Sequence, residues 1–205
     1  MIGDLPQSTN LLTGAAAPVS RIHALRKREP MKKLFPLVLA LLLLVGCGAK
    51  TPQYDKPVIA LLDTGVSTIA IDQSQLLPGY NYVTNTADTE DRINHGTAVA
   101  SVILGCDSAG VTGLAEDACY VLPLVVTDEV DGELRSVTPE VLAQVIRDSI
   151  DTYGADIINI SLGIRKDAEA VRGAIAYAEK KNVLVVSAVG NGGESEALYY
   201  PAAYK

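Results

Sequence analysis

Ile93-Asn94-His95-Gly96-Thr97-Ala98-Val99-Ala100-Ser101-Val102-Ile103-Leu104-Gly105 is the stretch around which the 205-residue chain is organised. His95 is one of only two histidines, and the other, His23, lies within the first thirty residues and receives no role. Ala98, Val99, Val102 and Ile103 recur at i, i+1, i+4 and i+5, the apolar face of a buried helix. Asn94 is placed to cap that helix and Gly105 to stop it. The imidazole therefore sits in a first helical turn, with Gly96 and Thr97 small enough for another backbone to approach it. A lone histidine in such a place is more often packing than chemistry, and its neighbours must decide.

Two other stretches converge on it. Val58-Ile59-Ala60-Leu61-Leu62-Asp63-Thr64-Gly65 is an apolar strand that ends in an acid and a glycine turn. Residues 183–188 form another strand, running into Gly190-Asn191-Gly192-Gly193. Ligands of open α/β sheets bind at the carboxyl ends of the strands, where Asp63 and Asn191 both fall. An acid to orient a histidine, together with an amide donor, is most of an acyl-transfer site.

With these residues in view, the chain resembles the subtilisin-like serine proteases. The matching segments are Asp63-Thr64-Gly65, His95-Gly96-Thr97, Asn159-Ile160-Ser161-Leu162-Gly163 and Gly190-Asn191, in the family's order and at similar spacing, across residues 57–205. The resemblance implies serine-type endopeptidase activity. Asp63 would fix the histidine tautomer, His95 would act as general base and then acid, and Asn191 would donate to the oxyanion. Ser161, Leu162 and Gly163 would pair with an extended peptide, and Ala188, Val189 and Gly190 would line the first specificity pocket, where Val189 is bulkier than the family's usual residue. The family's nucleophile lies in a Gly-Thr-Ser-x-Ala segment, which these 205 residues do not contain. The expectation is thus a chain truncated before the nucleophile and inactive as it stands. Gly193-Glu194-Ser195-Glu196-Ala197 is a decoy: it follows Asn191 too closely, and Pro201 stops a helix behind it.

Composition supports a sizeable core, with 48% hydrophobic residues, no Trp and one Phe. Residues 47–205 carry 11 basic and 22 acidic groups, a net of −11, which argues against a nucleic-acid partner. No glycine-rich phosphate loop follows a strand, so a nucleotide has no site either.

The amino terminus reads as a leader. Lys32 and Lys33 after Met31 form a positive region, and residues 34–45 are an apolar run too short to span a membrane comfortably. The run closes on Leu44-Val45-Gly46-Cys47, which resembles a bacterial lipobox, with Cys47 as the lipidated residue. Residues 1–46 are assigned to leader and signal peptide, with Met31 the preferred start, 47–56 to a tether and 57–205 to the folded domain. The expected location is the extracytoplasmic face of a bacterial membrane, held through lipidated Cys47.

Along the domain, strands are expected at 57–62, 79–83, 119–126, 157–160 and 183–188. Helices are expected after Asn94, from Thr138-Pro139 to Gly154, and from Asp167. Strand–helix alternation with short links predicts an α/β fold: a three-layer, mostly parallel sheet with helices on both faces. Residues 128–137 read as an acidic loop whose Asp128, Glu129, Asp131 and Glu133 could attract basic substrate side chains. Cys106 and Cys119 suggest a disulfide in an exported protein, two unpaired thiols being the alternative. No cofactor is required. A structural calcium ion at Asp72 and Asp107 is implied only by the resemblance, since calcium takes six to eight oxygens and two side chains can be named.

Three readings compete: a membrane-tethered endopeptidase, a non-catalytic peptide-binding lipoprotein of the same fold, and a solute-binding lipoprotein with an unrelated α/β domain. The last has no need for Asp63, His95 and Asn191 together.

Overall fold

The computed structural model describes residues 51–191 and 199–204; the leader, Cys47 and Ser195 lie outside them. In chain order the elements are β1 (Val58–Asp63), β2 (Tyr80–Asn81), α1 (His95–Leu104), β3 (Gly105–Cys106), β4 (Val111–Thr112), β5 (Tyr120–Val125), β6 (Thr127–Val130), β7 (Glu133–Ser136), α2 (Pro139–Asp151), β8 (Ile157–Ile160), α3 (Glu169–Lys180) and β9 (Leu184–Ser187).

Five strands form one sheet in the order β2-β5-β1-β8-β9, every pairing parallel. β1 sits at its centre, with Val58 opposite Tyr120 and Ile59 opposite Ile157. A central parallel strand is covered on both faces, which is why β1 is a continuous apolar run rather than an alternating one. Its residues divide accordingly. Val58, Ala60 and Leu62 join Leu122, Leu124, Ile158 and Ile160 in a core closed by α2 and α3. Leu61 joins Val121, Ala100 and Leu104 in a second core closed by α1. Helices therefore cover both faces, as the strand–helix alternation predicts.

Thr138 caps α2, its hydroxyl accepting the Val141 N–H at 3.3 Å, and Pro139 takes the first helical position, where its missing N–H costs nothing. The remaining boundaries move by a residue or two. The 79–83 strand shrinks to two residues, and α3 begins at Glu169 behind Ala168 rather than at Asp167.

Three expectations change in kind. Asn94 does not cap α1: it adopts a left-handed conformation (φ 69°) and makes no side-chain cap, while Asp91 accepts the Thr97 N–H at 2.8 Å. The buried face of α1 is Gly96, Ala100 and Leu104, leaving Ala98 and Val102 exposed. With apolar residues nearly all round this helix, periodicity alone could not choose the face.

The acidic loop is a hairpin. β6 and β7 pair antiparallel around Asp131-Gly132, both at positive φ, as a tight two-residue turn requires. Asp128 is buried at its base, where it accepts the Asn81 amide at 2.7 Å and lies 3.6 Å from Arg92. Asp131 and Glu133 pair with Arg135. Four free acids do not stand here to receive a basic substrate.

The cysteines form no disulfide with each other. Cys106 and Cys119 are buried free thiols, one against the Ser108 hydroxyl and the other donating to the Ala115 carbonyl. Burial pushes the Cys119 thiol above its usual pKa, which keeps it protonated and unreactive.

Candidate active site

β1 delivers Asp63 to the carboxyl edge of the sheet, where it is 3% exposed. α1 delivers His95 from its first position, with 53% of the side chain open to solvent. His95 Nδ1 lies 2.7 Å from Asp63 Oδ1. A carboxylate can only accept, so this contact places the ring proton on Nδ1 and leaves Nε2 free to take another. Asp63 Oδ1 also accepts the Thr64 N–H at 2.8 Å.

Close approach of the helix depends on Gly96. A Cβ there would lie 2.1 Å from the Gly65 carbonyl oxygen and 3.2 Å from the Asp63 side chain. No side chain larger than hydrogen fits.

A cleft of about 560 Å³ opens beside the imidazole. His95 and Val99 form one wall; Ser161, Leu162 and Gly163, leaving β8, form another; Ala188, Gly190 and Asn191, leaving β9, form a third. Strands β8 and β9 pair in register, so their carboxyl ends emerge together. Gly190 (φ 97°) makes the turn that carries Asn191 to the cleft, in a conformation L side chains rarely adopt. Val189 does not join this wall. It lines a separate groove with Val185, Ser187 and Pro201, because alternate residues leaving a strand point to opposite sides.

Tyr199 also borders the cleft and was not singled out from the sequence. Its ring packs where a Cβ on either Gly163 or Gly190 would collide with it. It is held by the antiparallel bridge between Tyr200 and Ile164, whose backbone groups exchange hydrogen bonds at 2.8 and 2.9 Å. The pair of facing glycines is a trace of that contact, but nothing in the sequence ties them to a tyrosine downstream.

Among the described residues no serine hydroxyl hydrogen-bonds the His95 ring. Ser161 Oγ instead accepts the Asn159 amide at 2.8 Å.

The profile of the Subtilase family (Peptidase_S8) matches residues 55–205. The chain belongs to the subtilase family. It is 36% identical over 156 residues to the major intracellular serine protease of Bacillus subtilis (strain 168), a match covering 71% of this chain and 47% of that protein. The minor extracellular protease Epr of the same organism is 34% identical over 147 residues, covering 71% of this chain and 22% of that protein. Among solved structures, Sphericase superposes with a TM-score of 0.61 at 30% identity, covering 77% of this chain and 54% of that one. This chain thus spans about half or less of the relatives it matches.

Asp72 and Asp107 line one groove of about 340 Å³ at the carboxyl end of α1, with Gln75, Ser108 and Glu116. Both Asp72 oxygens are taken by Ser74, whose N–H and hydroxyl donate at 2.9 Å. No group of three or more His, Cys, Asp or Glu side chains is gathered for a metal among the described residues.

Proposed function

We propose that this chain carries the acid–base and oxyanion-binding half of a serine endopeptidase site acting on extended polypeptide. The observation that carries the reading is the 2.7 Å contact between His95 Nδ1 and a buried Asp63, facing Asn191 and Ser161 across one cleft. In such a site His95 Nε2 removes the proton of an attacking serine hydroxyl and returns it to the leaving amine. Asp63 holds the ring and stabilises the imidazolium, while the Asn191 amide donates to the oxygen that becomes negative. The backbone of Ser161–Gly163 runs along the cleft edge, where an extended substrate adds as a further strand.

The nucleophile is assigned to polypeptide outside the described residues. In support, Val102 of α1 and Leu184 and Val186 of β9 expose 52, 59 and 47% of their surface. That is the apolar face against which a further segment would pack. Taken alone, the 205 residues are proposed to be inactive on amide bonds, and the intact protein to be anchored outside the cytoplasm by acylated Cys47.

A fluorophosphonate probe tests the assignment. It should label the product of the gene with whatever sequence follows Lys205, lose that label on His95→Ala, and leave the 205-residue chain unlabelled. If the longer product is neither labelled nor able to cleave casein, the second reading takes over: a peptide-binding lipoprotein of this fold, resting on the cleft edge made by Ser161, Leu162 and Gly163.

A further inference from the structure

Asp91 touches neither the cleft nor the His95 ring, yet it is the most heavily bonded carboxylate near them. It is buried, and no cationic side chain pairs with it among the described residues. Five donors satisfy it instead. Oδ1 accepts the Thr64 hydroxyl at 2.8 Å and the Ile93 and Asn94 N–H groups at 3.0 and 2.8 Å. Oδ2 accepts the Thr97 N–H at 2.8 Å and the Thr97 hydroxyl at 2.7 Å.

The two threonines turn these bonds into a brace. A hydroxyl has one proton to give, so one that donates to Asp91 must meet its other neighbours as an acceptor. Thr64 Oγ1 accordingly accepts the Gly96 N–H at 2.9 Å, and Thr97 Oγ1 accepts the Ser67 N–H at 3.0 Å. Both bridges join the loop after β1 to the first turn of α1. Asp63 immediately precedes Thr64, and His95 immediately precedes Gly96. Asp63 is therefore one residue, and His95 two residues, from a hydroxyl whose hydrogen-bond direction is set by the Asp91 carboxylate.

We propose that Asp91 is the positioning residue of the Asp63–His95 pair, setting their separation through the proton orientation of Thr64 and Thr97. The inference rests on reading that pair as the acid–base machinery, but the contact itself is observable without catalysis. Asparagine cannot replace Asp91. Its single oxygen cannot accept from five donors, and its amide would point N–H at N–H or force a threonine hydroxyl to reverse.

The experiment uses the full 205-residue chain, labelled with 15N-histidine and carrying His23→Gln so that one imidazole reports. The readout is the His95 Nδ1–H resonance and its exchange with water, alongside exchange of the Leu122 and Ile158 amides in the central sheet. In Asp91→Asn and in Thr64→Val, which keeps the shape of threonine but removes the relay, Nδ1–H should exchange at least about tenfold faster while the two sheet amides stay protected. Thr64→Ser, which restores the hydroxyl, should return exchange to the parental rate. Unchanged Nδ1–H exchange in Asp91→Asn and Thr64→Val overturns the proposal. So does loss of Nδ1–H protection only together with the sheet amides, which would make Asp91 a general folding residue, and so does failure of Thr64→Ser to rescue. Absence of peptidase activity in the gene's longer product would remove the functional reading and leave this result standing.

Discussion

Asp63 divides its two oxygens unequally: Oδ1 meets both His95 Nδ1 and the Thr64 N–H, while Oδ2 is buried with no hydrogen-bond partner among the described residues. The oxygen that meets the ring is thus also tied to the end of β1 by the Thr64 N–H. Asp63→Asn keeps the shape and changes the chemistry. Its amide can offer N–H to the ring and select the wrong tautomer. In a catalytically complete form, kcat should fall by roughly four orders of magnitude. Circular dichroism of the same sample should stay parental. Retention of a tenth of the activity would remove Asp63 from its orienting role.

Asn191 can be removed without loss of stability. Its side chain is exposed and has no partner among the described residues, so truncation leaves nothing buried unpaired. Asn191→Ala should leave the melting temperature unchanged and lower kcat roughly a hundred- to a thousand-fold, with little change in KM. A variant that raises KM and spares kcat would assign Asn191 to ground-state binding instead.

Gly96→Ala should be destabilising by about 1–3 kcal/mol, because the added methyl collides with the Gly65 carbonyl and cannot be relieved without moving α1 from β1. The check is the denaturant midpoint. Helix propensity alone would make glycine-to-alanine stabilising, so any loss at position 96 measures the collision. A Gly96→Ala variant as stable as the parent, or more so, would mean that close approach does not govern position 96.

Asp63, His95, Ser161 and Asn191 were legible because each stands at a strand end or a helix start, and the parallel sheet gathers such ends on one edge. Asp91 was not. It lies in a polar stretch with Asp88, Glu90 and Arg92, and only the fold separates the buried acid from its exposed neighbours. The exposed face of α1 is hidden from the sequence for a related reason. Val102 looks like a core residue on periodicity, and its exposure depends on what packs over it in three dimensions.

Acid should loosen the brace around α1. Burial acts to raise the Asp91 pKa, but the hydrogen bonds from Thr97, Ile93 and Thr64 outweigh it and hold the carboxyl below its ordinary value of 3.8. Asp88 is also held low, by the hydrogen bond from Arg92. A depressed carboxyl favours the folded state fully above the unfolded pKa, and that contribution disappears as pH falls through the folded value. Stability should therefore be flat toward neutrality and decline below about pH 4. In Asp91→Asn the decline should be shallower. Thermal melts from pH 2.5 to 7 provide the comparison, and parallel curves for the two proteins would exclude Asp91 as the group responsible.

The last prediction concerns the uncovered side of the sheet. β9 is an edge strand, and its exposed Leu184 and Val186 share the sheet face of Ile59 and Leu61, on which α1 packs. An edge strand with unpaired backbone groups and exposed branched side chains is a template for pairing with another chain. Expressed alone, residues 51–205 should self-associate, with the burden carried by β9 rather than by the charged β6–β7 hairpin. Leu184→Lys and Val186→Thr together add charge and remove apolar surface without touching the opposite side, where Val185 packs against the main core. The double variant should shift the sample toward monomer in analytical ultracentrifugation while keeping its circular dichroism. If β9 instead receives a further segment of the same polypeptide, the same two changes in the gene's longer product should lower stability and peptidase activity together. A monomeric parental fragment with a sharp, reversible melt would show that this face needs no cover.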